Sequence, residues 1–62
     1  MRWADWMVKG TPVVAYGKTG EITRVECTRL TGERTVKFIY VRMYGGKFAN
    51  PYHPTDVKRL KI

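Results

Sequence analysis

Apolar and polar positions alternate along most of the chain, the period-two signature of half-buried strands. Pro12-Val13-Val14-Ala15-Tyr16 is a short β-prone run opened by proline, which sheets accept at the start of an edge strand. Gly17-Lys18-Thr19-Gly20 predicts a turn. Two longer runs, Glu21 to Leu30 and Arg34 to Tyr44, are rich in Val, Ile, Thr, Phe and Tyr and read as strands. Thr31-Gly32 separates them, and Gly45-Gly46 parts Tyr44 from Lys47, a two-residue hairpin signal. Lys47 to Asn50 is expected as a brief return strand. Asn50-Pro51 and His53-Pro54 should end it, because the residue before a proline is driven toward extended or turn geometry. Pro54-Thr55-Asp56 predicts one tight helical turn, and Val57 to Ile62 a last strand.

The central hairpin has a testable register. With Thr31-Gly32 as a two-residue loop, Leu30 faces Glu33, Glu26 faces Lys37 and Glu21 faces Arg42. Val25 then meets Phe38, Cys27 meets Val36 and Ile22 meets Val41. Opposite-charge and apolar pairs of this kind contribute roughly 0.2–1 kcal/mol each. The same register contains a conflict. Near the turn the apolar face holds Val25, Cys27, Val36 and Phe38; farther away it is the opposite face, with Ile22, Ile39, Val41 and Met43. Either a bulge near Arg24 and Tyr40 switches the inward side, or one patch stays exposed for a partner. Trp3, Trp6 and Met7 are expected to line one side of a short helical turn or to cap the open end of the fold.

Size and charge sharpen the picture. Sixty-two residues make one small domain, which buries only roughly 60% of the surface its unfolded chain exposes. One cysteine and one histidine supply neither a disulfide nor a four-ligand zinc site, so no metal and no cofactor is expected. The unpaired Cys27, and an opening segment that mixes Arg2, Asp5 and Lys9 with tryptophans, lead to the expectation of a cytoplasmic protein without a membrane anchor. Twelve Lys and Arg against five Asp and Glu give a net charge of +7, a field that draws polyanions.

Catalytic chemistry has little to work with. Gly17-Lys18-Thr19 echoes the end of a phosphate loop, but that motif needs a glycine where Pro12 stands and a helix where strand residues follow. Cys27 alternates with Val25 and reads as a small core hydrophobe. The five acids are scattered, so no pair is set apart for acid-base work. No enzymatic activity is expected.

Gly20-Glu21-Ile22 leading to Val25, then Val36-Lys37-Phe38 and Val41, then Asp56-Val57 before the final strand, resembles the SH3-like small barrels. The resemblance implies an all-β, five-stranded barrel over residues 11–62, with a short helical turn before the last strand and an N-terminal segment at 1–10. Within that superfamily, Gly20-x-Ile22 and Val36-x-Phe38-x-x-Val41-x-x-Tyr44 are similar to the small extrinsic subunit of photosystem I, whose long loop between the first strands is missing here. Lys9-Gly10, Val13-Val14 and Gly20 resemble KOW domains, without their second lysine-glycine step. Tyr52 through Leu60 resembles the end of the trimethoprim-insensitive dihydrofolate reductase barrel, whose glutamine-containing pore segment has no counterpart.

On such a barrel the chemistry-bearing residues are cations interleaved with aromatics. Lys18, Arg24, Lys37, Arg42 and Lys47 are expected to hold a nucleic-acid backbone, DNA or RNA, while Tyr40 or Tyr44 stacks on exposed bases. The other reading is a protein-docking module, an accessory subunit or an inhibitor. It would engage an acidic protein surface or self-associate through the patch around Ile39, Val41 and Met43 and the two N-terminal tryptophans.

Overall fold

β-branched and aromatic residues carry the chain into strands, as their fit to a pleated, half-buried surface requires. A computed structural model describes residues 2–30 and 32–60, with backbone alone at 29, 30 and 33. In it β1 spans Pro12–Ala15, β2 Lys18–Leu30, β3 Glu33–Met43, β4 Ala49–Tyr52 and β5 Val57–Arg59. They form one antiparallel sheet in the order β4-β3-β2-β1-β5, with β4 and β5 as its two edges. A single 3-10 turn, Pro54–Asp56, precedes β5, with the buried Pro54 opening it. The all-β class, the five strands and the turn before the last are as expected from the sequence.

Several boundaries differ from those expected, and β3 begins and ends one residue earlier, at Glu33 and Met43. The first hairpin turns at Tyr16-Gly17, between paired Ala15 and Lys18, and Lys18-Thr19-Gly20 already belong to β2. Both turn residues have positive φ, 52° and 75°, the geometry whose twist suits a two-residue hairpin. The return strand is displaced to Ala49–Tyr52, with Pro51 inside it rather than closing it. β4 is an edge, where a proline removes no ladder bond that a neighbour needs. Val57 to Ile62 is realised as strand over Val57–Arg59, while 61 and 62 lie outside the described residues.

Two bulges resolve the conflict between the hairpin's apolar faces. The expected register holds at Glu21↔Arg42, Ile22↔Val41, Cys27↔Val36 and Leu30↔Glu33. Between them it slips by one residue, so that Arg24 pairs with Tyr40, Val25 with Ile39 and Glu26 with Phe38. Thr23 is the extra residue on β2 and Lys37 the extra residue on β3. The Thr23 hydroxyl donates to the Tyr40 carbonyl at 3.2 Å, satisfying an acceptor beside the interrupted ladder. The expected pairs Val25–Phe38 and Glu26–Lys37 are therefore not formed. A straight ladder would have turned Arg24, Glu26 and Lys37 inward and left Val25, Cys27 and Val36 outside.

With the faces switched, one core forms. Met7, Val13, Ala15, Ile22, Val36, Ile39, Val41 and Val57 are buried, and Trp3, Trp6, Val25, Cys27, Met43 and Tyr52 pack around them. The patch around Ile39, Val41 and Met43 thus belongs to the interior, because the bulges turn it there. Residues 2–7 close over this core. Met7 is buried, its carbonyl accepts from the Trp3 indole at 3.1 Å, and the Trp3 amide donates to the Arg34 carbonyl of β3. The sheet curls enough for Tyr16, after β1, to bring its ring within 5.8 Å of Tyr52 on β4.

Gly20 is the tightest point of that curl. A Cβ there would meet the Arg42 carbonyl oxygen at 2.7 Å and both Met43 Cα and Val41 Cγ1 at 2.9 Å. Gly20→Ala is expected to lower stability by about 1–3 kcal/mol, the usual cost of forcing atoms into a filled space. Urea unfolding reads this as a lower midpoint at unchanged slope. An unchanged midpoint would mean that β2 and β3 can part there freely.

Candidate functional site

Residues paired across neighbouring strands stand on one face of a sheet, so the ladder places the candidate side chains in rows. On the outer face one row is Glu21, Arg42 and Ala49, and the next is Arg24, Tyr40 and Pro51. Arg42 is engaged within its row. Its guanidinium meets the Glu21 carboxylate at 2.7 Å and donates to the Gly46 carbonyl at 3.1 Å. Arg24 lies over the Tyr40 ring, 4.3 Å from its centroid, and the Tyr40 hydroxyl reaches the Glu26 carboxylate at 3.4 Å. The face of Tyr40 that Arg24 covers is not presented to a base, which removes much of the stacking role expected of it. Phe38 and His53 make a separate ring contact at 5.6 Å.

The turns at the start of β2 gather a different set. Lys18 follows the Tyr16-Gly17 turn directly. The Tyr44 amide donates to the Thr19 carbonyl at 3.2 Å, so the loop between β3 and β4 sits beside that turn. Gly46 N donates to the Met43 carbonyl, and Gly45 takes φ 86°, which makes Met43 to Gly46 a tight turn that only a flexible residue closes easily. This loop pushes Tyr44 and Phe48 outward, with Lys47 between them. Phe48 is 78% exposed, Tyr16 71% and Tyr44 54%.

Of the seven residues expected at a nucleic-acid face, Lys18, Tyr44 and Lys47 thus share the turn end. Arg24, Tyr40 and Arg42 share the outer face, where Glu21 partners Arg42 and Glu26 partners Tyr40, and Lys37 stands exposed at the second bulge. Tyr16 and Phe48 have the exposure and the neighbours of site residues, yet they are absent from the expected set. Their signal in the sequence is adjacency to Gly17 and to Gly45-Gly46-Lys47, where a ring sits on a turn and has no strand face to bury it.

Tyr16 also anchors the turn end to the rest of the fold. Its hydroxyl donates to the Asp56 carboxylate at 2.7 Å, tying the first hairpin to the 3-10 turn. That hydrogen bond, then desolvation, then the charge of Asp56 hold the Tyr16 phenol above its ordinary value. Cys27 is half-buried against the core, and among the described residues no group of three His, Cys, Asp or Glu is placed to hold a metal. No helix among the described residues is long and apolar enough to cross a membrane.

No family model matches the sequence, and comparisons with curated proteins and with solved structures each return no significant match. The physical reading of the site therefore stands on its own geometry.

Because the folded-state value of Tyr16 is raised, its tie to Asp56 contributes fully below the unfolded tyrosine value of about 10. The contribution is lost as pH climbs through the higher folded-state value. Asp56→Asn should move the Tyr16 titration downward, followed through its ring resonances by NMR. A titration that stays in place would show that Asp56 is not the cause.

Proposed function

We propose that this domain is a small SH3-like barrel that binds single-stranded nucleic acid and has no enzymatic activity. The strand order, the curl of the sheet around one core and the 3-10 turn before β5 support the barrel. The observation that carries the binding role is the turn end. Three exposed aromatic rings, Tyr16, Tyr44 and Phe48, stand beside Lys18 and Lys47 in a chain of net charge +7. Rings give stacking platforms that tolerate any base, and cations track the phosphates. Lys37, Arg24 and Arg42 extend the positive field along the outer face. Arg42, already paired with Glu21, acts there as steering charge more than as a direct grip.

Protein docking draws less from the geometry. Ile39 and Val41 are wholly buried, so the patch that favoured a protein partner is core. Of the rings that remain outside, Tyr44 and Phe48 flank Lys47 in their loop, which suits a polyanion.

Fluorescence anisotropy with labelled single-stranded DNA and RNA tests the proposal. If about four phosphates are neutralised, log affinity should fall with log salt at a slope of about −3. Tyr44→Ala and Phe48→Ala should each weaken binding by about 1–3 kcal/mol per base lost from stacking. Lys18→Ala and Lys47→Ala should each flatten the salt slope by about 0.7. Absence of binding at low salt would sink the proposal.

A further inference from the structure

At the other end of the long hairpin Arg2, Trp3, Gly32 and Arg34 line an open surface cleft of about 680 Å³. It lies remote from the turn end, because β2 runs thirteen residues from Lys18 to Leu30 and the molecule is 38 Å long. The volume falls within the range of about 300–1,000 Å³ typical of small-molecule sites.

The wall of this cleft is built in layers. The Trp3 indole is half-buried against the core, and its ring N–H is held by the Met7 carbonyl at 3.1 Å. The Arg34 guanidinium lies over that ring, 4.7 Å from the centroid. Backbone fixes both partners. The Trp3 amide donates to the Arg34 carbonyl at 3.2 Å, and Arg2 pairs with Thr35 beside it. Gly32, at φ 83°, carries no side chain to fill the space. The indole thus holds a guanidinium plane in place. Its far face can take a flat ring, and its edge N–H groups form a fork that matches phosphate oxygens.

We propose that this cleft is a nucleoside-phosphate site. Arg34 stacks on the base and donates to the phosphate, and Trp3 backs Arg34. The inference goes beyond the single-strand role, since it concerns a different end of the molecule and needs none of Lys18, Tyr44, Lys47 or Phe48. The ligand has two sources, a free mononucleotide or the phosphorylated end of a strand, and the chemistry is the same for both.

Two tryptophans are present, so Trp6→Phe leaves Trp3 as the sole indole reporter. Its fluorescence is titrated with adenosine monophosphate, adenosine and inorganic phosphate. If that variant does not fold, the Trp3 indole N–H resonance of the unsubstituted chain reads the same titration. The monophosphate should give a saturable change and bind about tenfold or more tightly than adenosine or phosphate alone, because charge-assisted bonds and stacking act together. Arg34→Gln should lose about tenfold or more in that affinity. Arg34→Lys should fall between, having kept the charge without the plane. Phe48→Ala should leave the titration unchanged, which separates this site from the turn end. Competition by a 5′-phosphorylated dinucleotide, and none by its unphosphorylated form, would assign the strand end; competition by neither would assign the free mononucleotide. A flat titration, or equal affinity in the Arg34 variants, would overturn the proposal.

Discussion

The fold depends on two opposed irregularities in one ladder. The β2–β3 hairpin carries its apolar residues on one face near the tip and on the other face near the root, a pattern that no straight pair of strands can bury. One extra residue on β2, Thr23, switches the inward side of that strand. One extra residue on β3, Lys37, switches its partner and restores the register, so that Leu30 still pairs with Glu33. Every other element packs on the result. Val13, Ala15 and Val57 meet Ile22 and Ile39 only because the bulged strands present a single curved interior.

That interior decides what is left for the surface. A domain of this size has few places to hide large rings, and Trp3, Trp6 and Tyr52 take them around the buried Met7. Tyr16, Tyr44 and Phe48 remain outside because each belongs to a turn, where no strand face points inward. The cations divide in the same way. Those opposite acids on the ladder, Arg42 with Glu21 above all, are partly neutralised where they stand; the lysines of the turns and of the second bulge meet no such partner in the ladder. Function is thus proposed for the ends of the sheet, where the sequence has turn residues.

Much of the architecture was legible in the residues. Alternation located the strands, Thr31-Gly32 set the register at the tip, and the switch of apolar faces announced a bulge. What alternation could not show was that there are two bulges, because a compensating pair leaves both ends of the ladder in register. Phe38 was consequently expected inward and stands on the outer row instead. The site was less legible. Spacing placed Tyr40 beside Arg42, but it could not show that Arg24 covers that ring across the strand pair. Nor could it show that the segment before β1 folds back on β3 to build a cleft with Arg34. Both are contacts between residues far apart in sequence.

The contrast between β2–β3 and β1–β5 has a bearing on how the chain assembles. The long hairpin joins neighbours, so it can form early and cheaply in entropy. β1, by contrast, waits for β5 across the whole of β2, β3, β4 and the 3-10 turn before its outer edge is covered. Until that late pairing occurs, the backbone groups of Val13 and Val14 form an open template, and the basic pair Lys58 and Arg59 on the incoming strand brings like charge to that border. The final strand therefore serves as a seal against misassociation as much as a source of stability.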